Sequence, residues 1–350
     1  MFRVGYMGEA DAMDSVRSTG NETLLAAKDL SKQFPIRKSV QEFFMGCPPR
    51  YVRAVDGVSF SIGAKDILVL AGESGCGKTT TGRLTLRALE PDGGKIIFMG
   101  RDVMKLSGKE LKAFRRLAQM IFQDPYASLN PRLRVHDVLM EPLLVHGLGD
   151  GGKEREELVV KALEEVRLLP PEEFMERYPH MLSGGQRQRL TIARALVTKP
   201  KFIVADEPVS MLDLSIRAEI LDLVVSLSER HGIAYMYITH DLSTARYIGN
   251  NLAIMYLGKI VEHGPLDKVI SDPLHPYTQA LIDAIPEPDP QNRFRETKVR
   301  IGEEPPNPIN MPRGCRFHPR CPYVKDKCRE AEPFLVEVGS THFAACHLLK

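Results

Sequence analysis

The sequence predicts an α/β protein whose parallel sheet carries a phosphate-binding loop, and three observations lead there. Continuous apolar runs at 67–71, 202–205 and 233–238 read as strands buried on both faces. Amphipathic stretches of helical length alternate with them, the pattern of parallel strands joined by helical crossovers. Between the first of these strands and its helix lies Gly72-Glu73-Ser74-Gly75-Cys76-Gly77-Lys78-Thr79, a match to G-x-x-x-x-G-K-[ST].

Residues 1–22 are polar and read as a flexible tail. A strand is expected over 24–30, and an alternating, half-buried one over 55–62. The interval from Pro35 to Arg50 breaks the pattern and reads as an inserted loop or hairpin, a solvated excursion being the alternative. Helices are expected at 79–89, 111–118, 154–168, 186–197 and 214–230, with a further strand at 95–99. The Pro-rich stretch 286–290 marks a linker to a cysteine-rich C-terminal segment.

Bulk composition narrows the classes. The 350 residues are 43% hydrophobic and 26% charged, the balance of a globular protein with a sizeable core. A net charge of +2, from 47 basic and 45 acidic side chains, gives no sign of a nucleic-acid partner. No apolar run approaches the roughly 18 residues of a membrane span. The first residues, with Glu9, Asp11 and Asp14, do not resemble a secretory signal. The expectation is a cytoplasmic protein that works at a membrane only through a partner.

The loop's glycines let backbone N–H groups wrap phosphate oxygens, and the following helix turns its positive end toward the same anion. Lys78 is expected on the β- and γ-phosphates and the Thr79 hydroxyl on Mg²⁺, with Thr80 beside it. The strand 202–205 runs into Asp206-Glu207. Asp206 would serve Mg²⁺ and Glu207 would polarise the attacking water. Alone, two carboxylates ending a strand in solvent would need no function; beside a complete phosphate loop they do. Ser183-Gly184-Gly185-Gln186, opening a helix, offers N–H groups and a hydroxyl to a second anion.

Leu182-Ser183-Gly184-Gly185-Gln186 before Asp206 resembles the signature of ATP-binding cassette (ABC) ATPases. Gln123 in Ile121-Phe122-Gln123-Asp124-Pro125 resembles their Q-loop. Ser210-Met211-Leu212-Asp213 resembles the D-loop, with Met211 where Ala is commoner, and His240 in Ile238-Thr239-His240-Asp241 resembles the H-switch. The resemblance covers roughly residues 23–265. It implies a RecA-like core sheet with a helical subdomain at about 124–200 and an antiparallel β subdomain, all within a nucleotide-binding domain at 23–285. It implies ATP and Mg²⁺ as ligands, with Glu207, His240 and Gln123 catalytic and Gln123 also on the metal. It implies a head-to-tail pair in which Ser183, Gly184, Gly185, Gln186 and Asp213 complete the site of a second ATP-binding subunit, a sister chain or a second copy. Phe34 matches the position of the aromatic residue that stacks on adenine; Tyr51 competes for the role, and local packing is the alternative for both.

His275-Pro276-Tyr277-Thr278-Gln279-Ala280-Leu281, the 35–50 insertion and the late cysteines together resemble ATP-binding subunits of oligopeptide/dipeptide importers, the F-type subunit in particular. Two membrane permease subunits, an external solute-binding protein and a peripheral seat on the cytoplasmic face of the membrane follow from that likeness. Oligosaccharides or nickel are alternative cargoes.

Of six cysteines, Cys315, Cys321, Cys328 and Cys346 crowd the C-terminal extension, 286–350. Their spacing matches neither the zinc-finger C-x2-C pair nor a ferredoxin run, and the residues alone favour a structural metal over free thiols or disulfides. The importer resemblance implies a [4Fe–4S] cluster. His318, His342 and His347 keep a Cys/His zinc site as the alternative, and surface histidines as the blander one. A soluble repair-type ABC ATPase is disfavoured, because the interval from Lys78 to Ser183 leaves no room for a long coiled coil; translation factors of the class usually carry two cassettes. A non-hydrolysing cassette is disfavoured because Lys78, Gln123, Ser183, Glu207 and His240 are all present.

Overall fold

The computed structural model describes residues 23–36, 44–45, 48–285, 306–339 and 341–349. The tail 1–22, most of the 35–50 insertion with Cys47, and the 286–290 linker lie outside the described residues.

Two sheets form the scaffold. The first is antiparallel, in the order β2-β1-β4-β5, built from β1 (Thr23–Pro35), β2 (Tyr51–Gly63), β4 (Gly93–Phe98) and β5 (Arg101–Asp102). β1 and β2 pair down to Pro35↔Tyr51, and the Ile36 N–H donates to the Arg50 carbonyl at 2.9 Å. The insertion therefore leaves from and returns to the end of a two-stranded ribbon, as the hairpin reading expects.

The second sheet has the order β11-β12-β10-β9-β3-β8-β7-β6. Its parallel part comprises β6 (Ala118–Ile121), β7 (Phe202–Asp206), β8 (Ala234–Thr239), β3 (Ile67–Ala71) and β9 (Asn251–Tyr256). Every residue of β3, β7 and β8 is buried. That is why these strands read as nearly unbroken apolar runs: both faces are covered, and the polar Asp206 and Thr239 come only at the carboxyl ends of β7 and β8. One face packs on the antiparallel sheet, joining Leu68, Leu70, Val204 and Met236 to Leu25, Phe60 and Ile96. The other meets Leu190, Ile220 and Val224 from long helices.

Several boundaries differ from those expected. The helix after the phosphate loop is Lys78–Thr85 rather than 79–89; Arg87 takes a left-handed φ of 48°, and its guanidinium donates to the Val103 carbonyl at 2.9 Å. Ala118 begins edge strand β6 instead of ending the helix Gly108–Leu117, because it pairs with Phe202. Four residues are too few for a period to declare itself. The helices Val135–His146 and Pro276–Asp283 carried no clear periodic signal.

The C-terminal segment returns to the main sheet. β12 (Phe343–Ala344) pairs with β10 (Lys259–Pro265), and β11 (Val336–Glu337) with β12. Beneath this pairing Glu262 is 0% exposed. Its carboxylate accepts the Leu274 N–H at 2.9 Å, the His275 N–H at 2.8 Å and the His342 ring at 2.8 Å. A buried carboxylate survives only with such partners. Glu262→Ala is expected to cost about 3 kcal/mol of stability. It should also speed proteolysis within 306–349, both readable by urea denaturation and limited digestion.

Candidate nucleotide-binding site

Gly72 (φ 152°) and Gly77 (φ 110°) hold backbone conformations and close approaches closed to other residues. A Cβ on Gly72 would collide with the Met255 carbonyl oxygen, and one on Gly77 with that of Ala54. The loop is thereby pressed between β9 and β2, with Ser74 and Gly75 exposed at its tip and Cys76 buried beneath. Lys78, 5% exposed, folds back to donate to the carbonyls of Gly72 at 2.7 Å and Glu73 at 2.9 Å. The cation is poised inside the loop it would share with phosphate.

Thr79 Oγ1 donates to Asp206 Oδ1 at 3.0 Å. Asp206 is nearly buried, and desolvation pushes its carboxyl above the usual range, against the Thr79 hydrogen bond. A hydroxyl and a buried carboxylate with charge to spare are the hard oxygen donors that suit Mg²⁺. Thr80 is half-buried on the same helix.

Glu207 is the hub. Its φ of 45° breaks the strand and swings the side chain away from the β7 axis. Gln123 Nε2 donates to Glu207 Oε2 at 3.0 Å, and His240 Nδ1 lies 3.0 Å from the same oxygen. The three residues follow β6, β7 and β8, neighbouring parallel strands, so sheet order alone brings them to one edge.

Ser183 caps the helix Gly184–Leu196 in a reciprocal box: the Gln186 N–H donates to Ser183 Oγ at 3.2 Å and the Ser183 N–H to Gln186 Oε1 at 3.0 Å. Gly185 has no space for a Cβ against Ile216. Asp213 precedes the helix Leu214–His231, where Met211 and Leu214 stand exposed. These residues are satisfied within their own segment.

Phe34 pairs opposite Val52, and Tyr51 opposite Pro35. Successive side chains alternate across a ribbon, so Phe34 and Tyr51 point to opposite faces and only one can stack on a given base.

Two supports escaped the sequence. The Tyr277 hydroxyl accepts the Glu73 N–H at 2.8 Å, and Arg320 pairs with the Glu73 carboxylate. His275-Pro276-Tyr277 stood out as a family marker, but nothing in its spacing pointed to the loop.

In the extension, Cys315, Cys321, Cys328 and Cys346 are free thiols. Burial pushes Cys315 up to about 11, with Cys328, Cys346 and Cys321 adding to it, and raises Cys321 and Cys346 as well. Among the described residues, however, no three His, Cys, Asp or Glu side chains are arranged to hold a metal ion. His342 is committed to Glu262, His318 to the Cys315 carbonyl and His347 to that of Ala331.

A glycine loop gripping a buried lysine, a Thr–Asp pair and a carboxylate met by Gln and His define an ATPase of the ATP-binding cassette type. Comparison with known proteins agrees. A family model for the ABC transporter matches residues 55–210, and one for the oligopeptide/dipeptide transporter C-terminal region matches 261–328. The chain is 44% identical over 332 residues to the oligopeptide transport ATP-binding protein AppF of Bacillus subtilis (strain 168), spanning 95% of this chain and 99% of that one. It is 43% identical over 327 residues to the dipeptide transport ATP-binding protein DppF of Haemophilus influenzae, spanning 93% and 97%. The dimeric post-hydrolysis structure of the ATP-binding cassette MJ0796 bound to ADP and Pi aligns with a TM-score of 0.59 at 26% identity, over 69% of this chain and 98% of that one. The chain belongs to the ABC transporter ATP-binding proteins, in the branch that carries the oligopeptide/dipeptide transporter C-terminal region.

Substituting Phe34 and Tyr51 one at a time by Ala should weaken ATP binding in one case only, by about fivefold to tenfold. Titration with a fluorescent ATP analogue reads this, and equal losses at both positions would contradict the opposed faces.

Proposed function

We propose that this chain binds and hydrolyses ATP to drive an importer for di- or oligopeptides, from the cytoplasmic face of the membrane. The convergence of Gln123 and His240 on Glu207, beside a complete phosphate loop, is the observation that carries the hydrolytic part. The peptide cargo rests on the relatives' names and on the matched C-terminal region.

In this reading residues 23–285 are the nucleotide-binding domain and 286–350 an extension. Gly72, Glu73, Ser74, Gly75, Cys76 and Gly77 lend backbone N–H groups to the phosphates, with Lys78 released from its two carbonyls onto the β- and γ-phosphates. Thr79, Asp206 and the Gln123 carbonyl oxygen would hold Mg²⁺, which when bound neutralises phosphate charge. Glu207 accepts the proton of the attacking water, and His240, half-exposed, donates toward the γ-phosphate. Ser183 accepts from Gln186 and so keeps its own proton to donate to a nucleotide held by a second subunit. Gly184, Gly185 and Asp213 line the same seam, where Met211 and Leu214 lie open.

The partners that follow are a second ATP-binding subunit, two permease subunits and an external solute-binding protein. Exposed Phe122 and Tyr126 flank Gln123 and offer the apolar contact a permease needs. Copurification with membrane subunits, followed by peptide uptake, tests this; a chain that couples to no permease would defeat it.

Glu207→Gln should keep ATP binding and lower turnover by about 10²- to 10⁴-fold, measured as phosphate release. A variant that turns over at the parent rate would remove Glu207 from the chemistry.

The four thiols of the extension carry the finer proposal of a [4Fe–4S] cluster, with zinc as the alternative. Its support is the presence of four unpaired thiols in one short segment, Cys328 buried and Cys315, Cys321 and Cys346 partly covered. Protein purified without oxygen should carry about four irons and four sulfides per chain. Stoichiometric zinc without sulfide would sink the cluster, and neither metal would sink both.

A further inference from the structure

Glu73, the second residue of the phosphate loop, is held by residues far from every nucleotide motif. Its carboxylate takes a two-pronged ion pair from Arg320, at 2.9 Å to Oε2 and 3.0 Å to Oε1. Its backbone N–H donates to the Tyr277 hydroxyl at 2.8 Å. Arg320 is itself fixed: its side chain is 10% exposed, it reaches the Tyr256 hydroxyl at 3.5 Å, and its guanidinium lies 5.9 Å from that ring's centre.

The segment that presents Arg320 is anchored twice more. Phe317 is buried edge-on against Tyr256, with centroids 5.3 Å apart, and packs on Tyr277 at 5.4 Å. Arg316 donates to the Leu257 carbonyl and pairs with Asp56. The next residue in that turn, Gly258, donates its N–H to the Cys76 carbonyl of the phosphate loop at 2.8 Å. The extension therefore meets the loop directly at Glu73 and reaches its Cys76 end only through the turn at Leu257 and Gly258.

Glu73 also poses an electrostatic difficulty. A carboxylate in a loop that receives a polyphosphate repels it, and partial burial weakens screening by solvent. A bidentate guanidinium is the group best shaped to cancel that charge while fixing its direction.

We propose that Arg320 is a positioning residue for nucleotide binding: it neutralises Glu73 and turns it from the phosphates, so that the C-terminal extension sets the affinity of the loop for ATP. This rests on residues 72–79 being the ATP site.

The test is the Kd of the full-length chain for ATP with Mg²⁺, by calorimetry. Arg320→Ala should raise Kd by about tenfold, and Arg320→Lys, which keeps the charge but loses the fork, by about threefold. Glu73→Gln should bind ATP at least as tightly as the parent. Added to Arg320→Ala, it should restore affinity to within about threefold. A clamp that served only to hold the extension would behave otherwise: Glu73→Gln would weaken binding as much as Arg320→Ala, and the double variant would not recover. Either result overturns the proposal, as does parental affinity in Arg320→Ala. If Arg320→Ala does not fold, Glu73→Gln and Arg320→Lys still decide it, the first binding no more weakly than the parent and the second about threefold more weakly. Lys78→Ala separates the two readings. If it binds ATP normally, the loop is not the site; if it loses ATP while Arg320→Ala does not, only the role of Arg320 falls.

Discussion

The structure turns on one steric constraint, the absence of a Cβ at Gly72 and Gly77. Each glycine lets the phosphate loop lie directly against a neighbouring carbonyl, of Met255 on β9 and Ala54 on β2. That contact wedges the loop between the parallel sheet and the antiparallel ribbon. It also buries Lys78, whose charge is then satisfied by the carbonyls of Gly72 and Glu73. An ammonium held this way is already desolvated and oriented within the loop.

The remaining chemistry follows from strand order. β6, β7 and β8 lie side by side although long helical stretches separate β6 from β7 in sequence. Their carboxyl ends therefore deliver Gln123, Glu207 and His240 to one place. The left-handed turn at Glu207 adds the last adjustment. A polar hub with two partners on one carboxylate oxygen is sensitive to small shifts of any of the three strands. In the helical segment between β6 and β7, Arg187 stacks 3.6 Å from the centre of the Tyr126 ring, three residues beyond Gln123.

The C-terminal extension is more than an appendage in energetic terms. It contributes two short strands to the main sheet, a phenylalanine to the main core, a histidine to buried Glu262 and an arginine to the loop. The same packing partly covers Cys315, Cys321 and Cys346, and burial is the main cause that raises these three thiols.

The nucleotide machinery was legible because phosphate chemistry restricts residue types at fixed local spacing. Glycines, Lys78 and Thr79 sit within one loop, and Asp206-Glu207 and Ser183-Gly184-Gly185 are equally local. The three buried strands declared themselves because two covered faces admit few polar residues, and Asp206 and Thr239 come only where β7 and β8 end. What the chain alone did not disclose depends on contacts between distant segments. Edge strand β6 is too short to carry a period. The opposed faces of Phe34 and Tyr51 depend on a pairing register that the local pattern leaves open. The grip of Arg320 and Tyr277 on Glu73 spans more than 200 residues, and a lone arginine in a turn or tyrosine on a short helix has no spacing to betray its partner. Local pattern determined which chemistry the loop performs; only the tertiary packing decided what holds the loop in place, because a long-range ion pair is specified by folded geometry and not by any repeat along the chain.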